Sequence, residues 1–110
     1  MNEILTAIFK SACDKKASDI VILDLRKLTS ITDYFFICSA ESPVQVRAIA
    51  DNIIEKLKDK KTKLLHEEGY SFSNWILLDY GSVIVHIFLK EVREFYNLEL
   101  LWADAPVVGL

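Results

Sequence analysis

Residues 75–89, WILLDYGSVIVHIFL, alternate mixed and purely aliphatic side chains, and the mixed set is the part of the chain best suited to chemistry. Because side chains alternate across a β-strand, this set falls on one face if the segment forms two paired strands. Its members are Trp75, Leu77, Asp79, Ile84, His86 and Phe88. Aromatic and ionisable groups together are typical of a surface that binds a protein. A second layer of core with a buried histidine fits the pattern equally well.

Catalytic chemistry has little support in the sequence. The three glycines lie too far apart for a phosphate-binding loop, and no two carboxylates are separated by a single residue, as in pairs that hold metal ions. The two histidines and two cysteines lack the spacing of zinc ligands. We therefore expect a protein that is not an enzyme and that binds no cofactor or metal.

The two halves of residues 75–89 are predicted to form a β-hairpin around Gly81 and Ser82. A two-residue loop with glycine first suits a type II′ turn, because glycine accepts the positive φ at that position. This loop predicts the pairs Tyr80 with Val83, Asp79 with Ile84, Leu77 with His86, and Trp75 with Phe88. The opposite face then carries Ile76, Leu78, Tyr80, Val83, Val85 and Ile87. We expect that face to be core.

Helices are predicted where apolar residues recur at helical spacing, in residues 3–16, 46–57 and 91–102. The second has the clearest start, because residues 42–45 (SPVQ) place a serine N-cap, a proline and a glutamine as a capping box requires. The third is expected to cap the sheet as a short helix or a pair of turns.

Strands are predicted for the β-branched run at 20–23 and the aromatic run at 33–39, with a short edge strand at 63–67 and a loop at 69–74. Two successive strands followed by a helix and a hairpin indicate a mixed sheet. The expected fold class is α/β (α+β), a mixed β-sheet with flanking helices.

Length and composition predict one domain over residues 1–110. The chain has 110 residues, 52% of them hydrophobic and 26% charged, which suits a single core and shows no signature of disorder. No apolar run approaches the roughly 18 residues of a membrane span, and the N-terminus lacks a signal-peptide pattern. We expect no membrane association and a cytoplasmic location.

Charge is distributed unevenly along the chain. Residues 1–63 carry eleven basic and nine acidic side chains, whereas residues 64–110 carry two basic and seven acidic ones. An acidic segment with an aromatic strand face predicts a basic protein partner and little direct nucleic-acid contact, although a solubility role is the alternative. The lysines of residues 56–63 could contact RNA phosphates, but a lysine-rich helix end is more often only solvated.

Five blocks of the sequence resemble the ribosomal silencing factor family, also called Iojap-related. They are SDIVILDL (18–25), SITDYFFI (30–37), QVRAIADN (45–52), residues 75–88, and FYNLELLW (95–102) followed by Asp104-Ala105-Pro106. The resemblance implies a mixed sheet related to the nucleotidyltransferase fold without its catalytic motifs. It also implies binding to a basic protein of the large ribosomal subunit, of the uL14 family. By blocking association with the small subunit, a family member represses translation when nutrients are limiting.

Matching these blocks places the partner-binding surface on the hairpin and the closing block. The assigned residues are Trp75, Leu77, Asp79, His86 and Phe88, with Tyr96, Glu99 and Trp102 as additions. Trp75 and Phe88 are expected to be apolar anchors, and Asp79 and Glu99 to be charge partners, while His86 is either a ligand or part of the core. A homodimer is left open. The alternatives are an RNA-binding or ribosome-assembly module and an enzyme derived from a nucleotidyltransferase.

Overall fold

A five-stranded mixed β-sheet organises residues 2–109, which the computed structural model describes. The elements are α1 (Glu3–Asp14), β1 (Ser18–Asp24), β2 (Tyr34–Ala40), α2 (Pro43–Asp59), β3 (His66–Glu68), β4 (Trp75–Asp79), β5 (Val83–Leu89), α3 (Lys90–Tyr96) and α4 (Leu98–Leu101). The strand order is β1-β2-β5-β4-β3, with β2 and β5 parallel and the other neighbours antiparallel. The predicted mixed sheet with flanking helices is confirmed. None of the helices in residues 2–109 is long and apolar enough to cross a membrane.

The hairpin has the predicted register, because Trp75 pairs with Phe88, Leu77 with His86, and Asp79 with Ile84. Gly81 has the expected positive φ, of 84°. The turn is nevertheless tighter than a type II′ turn, since the Ser82 N–H donates to the Tyr80 carbonyl at 3.1 Å across three residues. The Gly81 N–H donates to the Asp79 carboxylate at 2.8 Å, so this side chain stabilises the turn.

The inner face of the sheet is the main core, as predicted. Its six hairpin residues are buried and pack with the buried stripe of α2 and with α1. The stripe consists of Val46, Ile49, Ala50, Ile53 and Leu57.

Gln45 joins the start of α2 to the end of α1. Its N–H donates to the Ser42 hydroxyl at 3.2 Å, as in the predicted capping box, but its side-chain oxygen accepts from Glu41 rather than from Ser42. The side-chain amide then donates to the carbonyls of Lys15 and Lys16, at 3.1 and 3.0 Å. The Gln45 side chain therefore forms hydrogen bonds both at the start of α2 and at the end of α1.

The predicted edge strand at 63–67 is wrong in its bounds, because β3 spans His66–Glu68. The reason lies in how α2 ends. Lys61 adopts a φ of 59°, and the Thr62 N–H donates to the Leu57 carbonyl at 2.9 Å, which completes a Schellman motif. This motif extends the helix end to residue 62 and delays the strand.

The C-terminal tail covers the other edge of the sheet. The Asp24 N–H donates to the Pro106 carbonyl at 2.9 Å, and the Val108 N–H donates to the Ile22 carbonyl at 2.8 Å. Val107 forms an isolated antiparallel bridge with Leu23. An open strand edge is a site of unwanted pairing, and the tail removes much of it along β1.

Candidate protein-binding face

The outer face of the sheet, opposite α1 and α2, is packed at its centre and exposed at its rim. Its centre is a second, smaller core made of Leu23, Leu25, Phe35, Ile37, Ile84, Phe88 and Ala105. Partly buried residues of β1, of the hairpin, of α3 and of α4 with its C-cap surround it: Val21, Trp75, Leu77, Val92, Leu98 and Trp102. The centre of this face is therefore a second layer of core, whereas its exposed rim stays a predicted contact surface.

Phe88 and His86 belong to the centre and not to the contact surface. Phe88, which was expected to anchor a partner, is 0% exposed and His86 is 3% exposed, so neither side chain reaches the surface of this structure. The physical reason is that α3 follows β5 without a connecting loop, and its residue Val92 packs on this second core. Phe88 instead supports Trp75, whose ring stacks on it at a centroid distance of 4.7 Å.

Trp75 is held in place by His86 as well as by Phe88. The Trp75 indole N–H donates to Nδ1 of His86 at 3.1 Å, which requires that nitrogen to be unprotonated. The ring of Phe35 meets the imidazole edge-on at 4.6 Å. Burial lowers the pKa of His86 to about 4, so the imidazole is neutral at pH 7 and holds the indole in one orientation.

Three of the other assigned residues lie at the rim. Tyr96 is 53% exposed and its ring lies 5.0 Å from that of Trp75, while Trp102 is half-buried against Phe35 at 5.7 Å. Leu77 is also half-buried. These side chains remain available to a partner, together with Trp75.

Glu99 and Asp79 were both expected to be charge partners, and the structure gives each an internal role. The Glu99 carboxylate accepts from Arg93 at 3.3 and 3.2 Å, and the Asp79 carboxylate accepts from the hairpin turn. The buried Arg93 also donates to the Asp19 carbonyl at 2.6 Å and to the Ser39 hydroxyl at 2.8 Å. Arg93 therefore fastens α3 and α4 to β1 and β2.

Four exposed apolar side chains were missed as candidates. Phe95 is 80% exposed, and Leu101, Leu100 and Phe72 are also exposed. The sequence pattern placed Phe95 and Leu101 on the sheet, but α3 has seven residues and α4 only four. Helices this short cannot turn every apolar position of residues 92–102 toward one surface. The segment has more apolar residues than the sheet can cover, and this surplus was the sequence signal for exposed apolar side chains.

A groove of about 530 Å³ lies between the loop of residues 69–74 and α3. Its lining consists of Gly69, Phe72, Asn74, Trp75, Glu91, Val92, Phe95 and Tyr96. Gly69 has a φ of 84°, and a Cβ there would lie 2.0 Å from the Trp75 carbonyl oxygen. Only glycine therefore allows this close approach of the loop to β4.

The loop beside the groove is fastened to α2. The Ser73 hydroxyl accepts from the Arg47 guanidinium at 2.8 Å and donates to the Tyr70 carbonyl at 2.7 Å. The Tyr70 hydroxyl donates to Asp51 at 3.1 Å. The loop wall of the groove is therefore fixed to the rest of the fold.

A group of side chains that could bind a metal ion would be another kind of candidate site. Among residues 2–109, no three His, Cys, Asp or Glu side chains are grouped so that they could hold a metal ion.

The whole chain, residues 1–110, matches the protein-family model described as ribosomal silencing factor during starvation. The chain belongs to this family. It is 42% identical to the ribosomal silencing factor RsfS of Bacillus subtilis over 104 residues, which are 94% of this chain and 88% of the relative. A mouse protein, named for mitochondrial assembly of the ribosomal large subunit, is 32% identical over 80% of this chain and 40% of its own length.

The fold agrees with that of a solved relative. The crystal structure of a protein from Chromobacterium violaceum superposes with a TM-score of 0.90 at 35% identity, covering 94% of this chain and 88% of the other. The family and the fold class predicted from the five sequence blocks are both confirmed.

Acid should destabilise this protein through His86. The unfolded chain binds a proton near the ordinary pKa of 6.5, and the native chain only near 4, so stability is lost as pH falls between these values. We expect this group to remove roughly 3 kcal/mol from the free energy of unfolding across that window.

The measurement is urea unfolding at several pH values between 7 and 4, on the wild type and on His86→Gln. Glutamine can accept from Trp75 but does not titrate, so the variant should lose less stability than the wild type. Equal pH dependence of the two proteins would show that His86 is not the titrating group.

Proposed function

We propose that this chain binds a basic protein of the large ribosomal subunit, of the uL14 family, through the rim of its outer face. Bound there, it blocks association with the small subunit and represses translation when nutrients are limiting. The observation that carries the proposal is a patch of exposed apolar side chains on α3 and α4, bordered by carboxylates.

The apolar part of this patch supplies the anchors. Phe95, Tyr96, Leu100 and Leu101 are exposed within seven consecutive residues. Large apolar side chains grouped on the surface of a small domain mark an interaction site more often than chance exposure does. Since Trp75 and Trp102 lie beside them and are only half-buried, the patch extends onto the hairpin.

The charged part favours a basic partner. Glu91, Glu94 and Asp104 are exposed on or next to the same two helices. They belong to the acidic half of the sequence, which contains seven acidic and two basic residues. Carboxylates around an apolar centre steer a cationic surface into contact and disfavour nucleic acid.

The relatives support the choice of target. Proteins of this family carry the name ribosomal silencing factor, and the mouse relative is named for assembly of the ribosomal large subunit. A partner on the large subunit agrees with both names.

Occlusion explains repression without a catalytic step. An interface of standard size covers about 800 Å² on each partner, which is well within the 6383 Å² surface of this domain. A rigid body of this size, seated where the small subunit docks, excludes it sterically. Inhibition should therefore require one protein per subunit.

Sedimentation of purified subunits tests this function. Protein added before the subunits are mixed should hold them apart in a sucrose gradient, at a one-to-one ratio. Protein added after joining should act only as fast as the subunits separate spontaneously. Inhibition by far less than one equivalent, persisting after the protein is washed away, would indicate catalytic modification and contradict occlusion.

An RNA-binding role is the second candidate, because the lysines of residues 56–63 are exposed at the end of α2. In that case affinity for the large subunit should fall steeply with salt concentration and should survive changes in the α3 and α4 patch.

A further inference from the structure

We propose that the groove beside Trp75 is a subsite for one arginine side chain of the partner. This inference rests on the proposed function and adds to it the residue type that the groove accepts. Its lining combines four aromatic rings, from Phe72, Trp75, Phe95 and Tyr96, with the carboxylate of Glu91. Aromatic rings around a negative charge are the chemistry that recognises a cation on an apolar stem.

The rings stand close enough together to act on one ligand. The centroids of Trp75 and Tyr96 are 5.0 Å apart, and those of Phe95 and Tyr96 are 5.1 Å apart with their planes nearly perpendicular, at 88°. Neighbouring rings at such angles form a concave aromatic surface. A cation within about 6 Å of a ring centroid is attracted to the face of that ring.

The walls of the groove are fixed before the partner arrives. Trp75 is held by its stacking on Phe88 and its hydrogen bond to His86, and the loop wall is fastened through Ser73 to Arg47. A preformed site loses less entropy when its ligand binds.

Glu91 supplies a charge that no cation in the described chain neutralises. Within residues 2–109, the carboxylates in ion pairs are those of Asp24, Glu68 and Glu99, and Glu91 is not among them. It lies in the first turn of α3, is exposed, and lines the groove. A cationic ligand therefore gains an ion pair there.

Arginine fits this lining better than lysine or an aliphatic residue. Its guanidinium is planar and weakly hydrated, so it stacks on aromatic rings while it pairs with a carboxylate, whereas an ammonium is a compact and strongly hydrated charge. An aliphatic side chain would pack against the rings but would leave the Glu91 carboxylate partly desolvated and unpaired.

A small-molecule titration tests the subsite without the ribosome. The probe is N-acetyl-arginine amide, added to the full chain and followed by NMR at the backbone amides of residues 69–75 and at the Trp75 indole N–H. We expect saturable shifts at these groups and none at the Trp102 indole. N-acetyl-leucine amide at the same concentration should give much smaller shifts. Equal shifts with the leucine probe, or no saturable shift with arginine, would overturn the proposal.

Variants of the exposed lining test it in the complex with large ribosomal subunits. Glu91→Gln and Phe95→Leu should each weaken subunit binding about fivefold, because one removes the charge and the other keeps an apolar side chain but removes the ring. Phe95→Tyr keeps the ring and should bind as the wild type does. Since Phe95 is exposed, these changes should leave the unfolding midpoint unchanged.

The outcome separates this subsite from the proposed function. If Phe95→Leu and Glu91→Gln bind subunits normally while Leu101→Glu does not, the arginine subsite is wrong and the binding face stands. If the wild type does not bind subunits, the proposed function is wrong, and with it the assignment of the arginine to a ribosomal partner.

Discussion

Leu101→Glu should lower affinity for the large subunit roughly thirtyfold and leave the fold intact. Leu101 is 76% exposed at the end of α4, so glutamate there is solvated in the free protein. In the complex the same carboxylate would be buried against an apolar contact, and loss of a central anchor typically removes over about 2 kcal/mol of binding free energy. Binding to purified large subunits, measured by co-sedimentation over a range of protein concentrations, gives the affinity.

Val44→Glu is the matched control. Val44 is 69% exposed in the first turn of α2, on the opposite side of the sheet, and the change adds the same charge. It should leave subunit binding unchanged. Wild-type affinity for Leu101→Glu, or equal losses for both variants, would exclude α3 and α4 as the contact.

Trp75→Glu, the change that the sequence pattern suggests first, is a poorer test. Trp75 is half-buried, stacks on Phe88 and donates a hydrogen bond to His86. Its replacement should therefore reduce stability together with binding, and the two effects would be difficult to separate.

Arg93→Met should lower the free energy of unfolding by about 3 kcal/mol, because breaking a buried ion pair leaves its partners unsatisfied. Arg93 is 8% exposed and donates to Glu99, to Ser39 and to the backbone of Asp19. We also expect weaker subunit binding, since α3 and α4 lose their attachment to the sheet. Urea unfolding gives the stability change.

Arg26→Met provides the comparison for a surface ion pair. Arg26 is exposed and pairs with Asp24 at 2.7 Å, so its loss should lower the free energy of unfolding much less than the loss of Arg93 does. If Arg93→Met costs no more than Arg26→Met, Arg93 does not fasten the last two helices.

Local signals were sufficient to predict much of the fold. The register of the hairpin follows from Gly81 and the alternation on either side of it, and the start of α2 follows from Ser42 and its neighbours. Each signal acts over a few residues, where backbone preference and side-chain spacing determine the structure. The C-terminal tail along β1 had no such signal, because its pairing joins Val107 to Leu23.

The site was only partly predictable for the same reason. Arg93 contacts Asp19 and Ser39, which precede it by 74 and 54 residues, so no local pattern identifies it. Whether an apolar residue is buried depends on what covers it. Phe88 lies in the second core, while Phe95 on α3 is exposed to solvent. Alternation correctly grouped the hairpin face but could not separate its centre from its rim.

Photo-crosslinking from the outer face tests the central claim most directly. A benzophenone-bearing phenylalanine at position 95 would replace an exposed aromatic residue, and the same group at position 60 would probe the lysine-rich end of α2. After irradiation with purified large subunits, mass spectrometry identifies the attached component. We predict that position 95 crosslinks to the uL14-family protein and that position 60 does not. Crosslinks from position 60 to ribosomal RNA, with none from position 95 to that protein, would contradict the account.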